Sequence, residues 1–149
     1  MKKRLFYKEI VASVEIEASP DRVWDVLTDF KSWERWNQFI PLVEGSLTIG
    51  AQLRIKVVSP GLKPMIFKPT VFEVKPMQRI VWGGGFLGVV YRGDHAFIVE
   101  PITPSKTRFT QVERFMGPMV IFMGEMIKKT EQGYLQMNAA FKKEVESRM

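Results

Sequence analysis

The feature that most constrains this chain is the stretch from Leu42 to about Phe115. Strand-like segments follow one another there with no helical spacing between them. Turn signals at Gly45, Gly50, Pro60-Gly61, Pro64, Pro76, Gly83-Gly84-Gly85 and Pro101–Pro104 cut it into about six strands. Parallel neighbours need a crossover of roughly a dozen residues or more, usually helical, so strands joined by turns alone must pair antiparallel. Leu53, Ile55 and Val57 alternate with Gln52, Arg54 and Lys56 as a half-buried strand. Residues 66–74 and 79–82 read as a hairpin around Pro76-Met77, and 88–100 with 106–115 as another around Thr103. The three glycines lack the Lys-Ser/Thr of a phosphate loop and read as a flexible strand connection.

The flanks have other periods. Residues 6–17 alternate with the even positions inward, a first strand. Ser19-Pro20-Asp21 then offers a cap, a proline at the first helical position and an acid in the first turn, with Val23, Val26, Leu27 and Phe30 at helical spacing. Ser32 is expected to cap a second short helix in which Trp33 and Trp36 share a face, ended by Pro41. Residues 118–147 read as one helix, roughly 45 Å long at 1.5 Å per residue. Met119, Met123, Ile127, Tyr134, Met137 and Val145 fall on its apolar stripe, and Gly124 and Gly133 lie inside it. The order predicts a single α+β domain over 1–149. A curved antiparallel sheet of about seven strands wraps around the long C-terminal helix, with two short helices after strand 1.

Composition removes several functions. The 149 residues include no Cys, which excludes disulfides and thiolate chemistry. One His and scattered carboxylates predict no metal site and no bound cofactor. The net charge of +6 is dispersed except at Lys2-Lys3-Arg4, and the strand aromatics point inward, so nucleic acid is not an expected partner. Lys8, Glu9, Glu15 and Glu17 interrupt any signal-like apolar run, and a cytoplasmic location is expected.

Local strings then resemble a known family. Ser19-Pro20-Asp21-Arg22-Val23-Trp24-Asp25-Val26-Leu27-Thr28-Asp29-Phe30 looks like the first helix of the START-like helix-grip superfamily (SRPBCC), and Trp33-Glu34-Arg35-Trp36-Asn37-Gln38-Phe39-Ile40 like its second. Val81-Trp82, Gly93-Asp94-His95-Ala96-Phe97 and Thr107 through Gly117 resemble its later strands. That superfamily includes the birch pollen allergen, lipid-transfer START domains and polyketide cyclase/dehydrase-like proteins. The resemblance implies a deep apolar pocket between the concave sheet face and the C-terminal helix. Its occupant would be a small hydrophobic ligand such as a lipid, quinone or polyketide, held by a carrier or sensor. One alternative is a polyketide cyclase/dehydratase-type enzyme. Another is a membrane-docking lipid or quinone shuttle, for which Lys2-Lys3-Arg4 would supply weak contact with an anionic surface. Monomer and homodimer both remain open.

Pairing selects the pocket wall. A hairpin centred near Thr103 sets Val99 opposite Thr107, Phe97 opposite Phe109 and His95 opposite Gln111. Tyr91, His95, Phe97, Phe109, Gln111 and Glu113 then face inward. The hairpin at Pro76-Met77 puts Val71 beside Trp82 with Phe67 on the same side, and sends Phe72 and Val74 outward unless a bulge intervenes. Leu53, Ile55 and Val57 complete the sheet side; Met119, Met123, Ile127, Tyr134 and Met137 supply the helix side. Tyr91, His95, Gln111 and Glu113 form the polar constellation. Desolvation should raise the Glu113 pKa, with the His95 imidazole pulling it back. Glu113 and His95 are the candidate acid–base pair; the bland alternative is that the polar groups satisfy one another.

Overall fold

The computed structural model describes residues 5–86 and 90–148. Lys2-Lys3-Arg4 and the first residues of the expected 88–100 strand lie outside that set. In chain order the elements are β1 (Tyr7–Ile16), α1 (Pro20–Thr28), a 3₁₀ turn (Phe30–Ser32), α2 (Trp33–Trp36), β2 (Leu42–Glu44), β3 (Arg54–Val57), β4 (Met65–Phe67) and β5 (Thr70–Lys75). There follow β6 (Arg79–Phe86), β7 (Tyr91–Thr103), β8 (Lys106–Met116), a second 3₁₀ turn (Pro118–Phe122) and α3 (Gly124–Ser147). All strand pairs are antiparallel.

Five strands run in the order β1-β8-β7-β6-β5, and three in the order β2-β3-β4. A bridge between Gln52 and Thr70 joins the two sets, in the same register that pairs Ile55 with Phe67. The expected strand over 66–74 is therefore one strand interrupted at Lys68-Pro69, where proline removes a ladder donor. Counting β4 and β5 as that one strand gives the seven expected. Beyond it, Val71 pairs with Trp82, and a bulge between Val71 and Glu73 resets the rest of the hairpin.

The other hairpin is offset from its expected register. His95 stands opposite Glu113, Phe97 opposite Gln111 and Val99 opposite Phe109. The chain turns at Pro104-Ser105, not at Thr103, and an irregularity between Pro101 and Thr103 sets the final offset. The shift is two residues, so every side chain keeps its face. Gly83-Gly84-Gly85 lie inside β6 rather than in a connection. A Cβ on Gly83 would strike Asp94 Oδ1 and the Gly93 carbonyl, and one on Gly85 the Tyr91 carbonyl.

The helices depart from expectation at their ends. Ser19 caps α1, its hydroxyl accepting from the Arg22 N–H at 3.4 Å. Ser32 does not cap α2; its hydroxyl donates to the Asp29 carbonyl at 2.7 Å and accepts from the Trp36 indole at 3.0 Å. The short helix stops at Trp36, before Pro41, because the Asn37 side chain takes over as turn-former. Its Oδ1 accepts from the backbone N–H groups of Phe39 at 3.1 Å and Ile40 at 2.9 Å. α3 begins at Gly124 and is 24 residues long, roughly 36 Å rather than 45 Å. At Gly133 it lies against the chain after α2, and a Cβ there would overlap the Phe39 ring. Glu144 pins α2 to α3, accepting from Arg35 at 3.0 and 2.7 Å and from Arg148 at 2.7 Å.

Candidate functional site

Between the concave sheet face and the first half of α3 the chain leaves a cavity of about 660 Å³. Ten of the expected wall residues border it. Ile55, Val57, Phe67 and Trp82 come from β3, β4 and β6, and Tyr91, His95 and Glu113 from β7 and β8. Met119, Met123 and Tyr134 close it from the helix side. Seven do not reach it. Phe97, Phe109 and Met137 are fully buried beside the aromatic cluster that fills the opposite end, where Phe109 lies 4.6 Å from Phe141 and Phe97 4.8 Å from Trp82, centroid to centroid. Leu53, Val71 and Gln111 are buried in the core, and Ile127 is packed against it. Reading faces from alternation selects inward residues but says nothing of which stretch of that face is filled.

Other wall residues carried no signal in the sequence. Phe39 and Ile40 enter from the turn built on Asn37, and Ser59, Leu62 and Lys63 from the connection between β3 and β4. Gly84 and Gly93 pair across β6 and β7 on the same face as Trp82 and His95. A Cβ on Gly84 would meet nothing within 4 Å, whereas one on Gly93 would lie 2.6 Å from the Tyr91 hydroxyl. Glycine at 93 thus lets the Tyr91 ring fold back over the sheet.

At the inner end the polar groups form a chain. The Gln111 amide donates to Asn138 Oδ1 at 2.8 Å, which leaves Gln111 Oε1 as the acceptor for His95 Nε2–H at 2.9 Å. This assigns the neutral Nε2–H tautomer and turns the bare Nδ1 toward the Tyr134 hydroxyl, 3.4 Å away. Tyr134 donates to Glu113 Oε1 at 2.9 Å. Glu113 Oε2 is shielded from solvent and has no hydrogen-bond partner, although other atoms of the residue remain partly accessible.

Burial explains the electrostatics. It pushes the Glu113 carboxyl up to about 8, with Asp94 adding to the rise and the Tyr134 hydrogen bond opposing it. The group that lowers the Glu113 pKa is therefore a tyrosine and not the expected imidazole. His95 is itself pushed down to about 3 by burial, opposed by its bond to Gln111, and carries no charge to lend near neutrality. Burial raises both phenols, with Glu113 adding to each shift. At neutral pH the inner end thus presents an uncharged carboxylic acid, two neutral phenols and a neutral imidazole against apolar walls. Such a set can hold one polar atom of an otherwise hydrophobic ligand, and the carboxyl can give up or receive a proton near pH 8. Among the described residues no three His, Cys, Asp or Glu side chains converge to hold a metal. No described helix is long and apolar enough to cross a membrane.

Solved structures share this architecture. The Zhui aromatase/cyclase from Streptomyces sp. R1128 superposes with a TM-score of 0.77 at 16% identity, covering 95% of each chain. TTHA0849 from Thermus thermophilus gives 0.74 at 18% identity over 95% of this chain and 99% of its own. Norcoclaurine synthase from Thalictrum flavum, solved with dopamine and hydroxybenzaldehyde, gives 0.69 at 20% identity over 96% and 88%. At these identities the likeness is one of fold. No curated protein matches the chain in sequence. The model of the family described as polyketide cyclase/dehydrase and lipid transport matches residues 8–146, nearly the whole chain, and the protein belongs to that SRPBCC family.

Proposed function

We propose that this protein binds a small hydrophobic ligand inside the cavity, as a carrier or sensor. The observation that carries the reading is an apolar space of about 660 Å³ whose inner end holds the Glu113 carboxyl, which burial pushes up to about 8. Ligand sites for small organic molecules are typically about 300–1,000 Å³, mostly apolar, with a few placed polar groups. A lipid, quinone or polyketide that carries one neutral oxygen fits that description. The inner wall offers no cation to an anionic group, since the lysines on the wall, Lys63 and Lys68, are exposed. Mass spectrometry of an organic extract of the purified protein tests this reading. It predicts a retained apolar compound that rebinds the stripped protein and is recovered unaltered.

A second reading is favoured by one observation, the Glu113 carboxyl with an unpartnered oxygen and a pKa near 8. A group tuned to that value suits general acid–base work, as a cyclase or dehydratase requires. The fold is shared with an aromatase/cyclase and with norcoclaurine synthase. In this reading Glu113 moves the proton, Tyr134 holds Glu113 in place by donating to Oε1, and His95 stands neutral behind Tyr134, bonded to Gln111. Glu113→Gln separates the readings: a carrier keeps its affinity within a few-fold, whereas an enzyme keeps binding but loses roughly 10²–10⁴-fold in turnover.

A further inference from the structure

The cavity meets solvent along β4 and the residues that precede it. Of its wall, Lys63, Met65, Ile66, Phe67 and Lys68 are all exposed. A three-residue strand with every side chain exposed and apolar is unusual, because alternation normally buries at least one face. Across the opening stand Met119 and Met123, at either end of the second 3₁₀ turn. Between them Ile121 and Phe122 point away from the cavity, 53% and 88% exposed. A third segment joins this side. The Gly117 N–H donates to the Phe6 carbonyl at 2.9 Å, which sets exposed Leu5 and Phe6 at the start of the same turn.

Apolar side chains from three segments are thus left in water around one opening. Elsewhere exposed apolar residues sit singly, as Val11 and Leu135 do, or beneath a cation, as Phe72 does under the Arg92 guanidinium at 5.1 Å. Contiguous exposed apolar surface marks an interaction site, where scattered residues do not. Charge narrows the partner. The two segments flanking the opening, 61–68 and 118–129, hold four lysines (Lys63, Lys68, Lys128 and Lys129) against the single acid Glu125. Lys129 reaches over Gly61, its Nζ 3.6 Å from where a Cβ there would stand, so α3 and the connection between β3 and β4 present their charge together. A second copy docking through the same surface about a two-fold axis would bring two net-positive patches together. A surface both anionic and apolar beneath suits the lysines and the phenylalanine at once.

We infer that this opening docks on an anionic lipid bilayer, with Ile121, Phe122 and β4 entering the headgroup boundary and the lysines resting on the lipid charges. The cavity then opens onto the bilayer rather than onto water. The inference concerns this surface alone and stands or falls independently of what the cavity holds.

Sedimentation of the full chain with phosphatidylcholine vesicles, with and without phosphatidylserine, tests it. Binding is expected to be roughly tenfold or more stronger on the anionic vesicles and to weaken in high salt. The double variant Ile121→Asp/Phe122→Asp should lose at least tenfold, and Lys63→Glu/Lys68→Glu should lose the preference for phosphatidylserine. Leu135→Asp, exposed on α3 and not part of the cavity wall, should bind as wild type. Circular dichroism verifies folding, and Phe122→Ser alone serves should the double variant not fold. Absence of wild-type binding to either vesicle, or equal losses from Leu135→Asp and Phe122→Asp, overturns the inference. So does a dimer in solution that Phe122→Asp dissociates, because the patch would then be an interface between copies.

Discussion

The two ends of α3 face the same sheet, yet one end is solid and the other hollow. Toward its C-terminal half, Phe141 packs 5.4 Å from Trp36 and 4.6 Å from Phe109, with Trp33, Phe97 and Met137 fully buried beside them. At its N-terminal end Met119 and Met123, just before the helix, and Met126 on it line the wall, and the sheet answers with Gly84 and Gly93. The space comes from residue size on a shared framework, and it needs no change in topology. Ring pairs such as Phe109 and Phe141 span sheet and helix at the solid end, whereas Gly84 and Gly93 add no side chain to the hollow one.

The largest expected effect breaks the solid end. Phe109→Ala should cost about 3–5 kcal/mol, because no neighbour can collapse into the void. Denaturant titration reads this, and Met123→Ala at the hollow end should cost less than half as much. Next is overfilling. Met137 is fully buried and away from the cavity, so Met137→Trp should cost about 1–3 kcal/mol, the usual penalty for overpacking. Ligand affinity should change little in the fraction that stays folded.

The third prediction uses pH. His95 titrates at about 3 in the fold against 6.5 free, so the native state binds fewer protons than the unfolded chain between those values and stability rises with pH there. Glu113 titrates at about 8 against 4.5 free, so the native state binds more protons in that window and stability falls as pH rises through it. The two slopes oppose each other from pH 4.5 to 6.5, which leaves a maximum there. Above 6.5 the loss belongs to Glu113, faced by Tyr91 and His95 from β7 and Tyr134 from α3, with the Asp94 charge acting from the other face of β7. Thermal midpoints across pH should show the alkaline limb disappear in Glu113→Gln while the acid limb remains. The smallest effect follows from Tyr134→Phe. Loss of its hydrogen bond raises the Glu113 pKa further, and the alkaline limb moves to higher pH.

What was legible in the sequence divides along the same line. The strand–helix order, the Ser19-Pro20-Asp21 start of α1 and the inward set on β7 and β8 follow from local periods and turn residues. The β7–β8 register missed by two residues because Pro101–Pro104 allows more than one turn. Parity protected the faces, so Glu113 and His95 still came together. The Tyr134 contact with Glu113 was not legible, because the rotation and height of α3 over the sheet are set by packing at its other end. Nor was the cavity boundary: Met123 and Met137 share one helical stripe, and only the rings opposite Met137 distinguish them.

The central claim is that the hollow end is a ligand site, and Met123→Trp tests it most directly. A neutral apolar dye such as Nile red is titrated by fluorescence into wild type and variant, with thermal midpoints measured on both. The account predicts saturable wild-type binding, its loss in Met123→Trp, and little change in midpoint, since the indole enters space that already exists. A variant destabilised by about 1–3 kcal/mol, as in a close-packed core, or one that binds the dye as well as wild type, would contradict it.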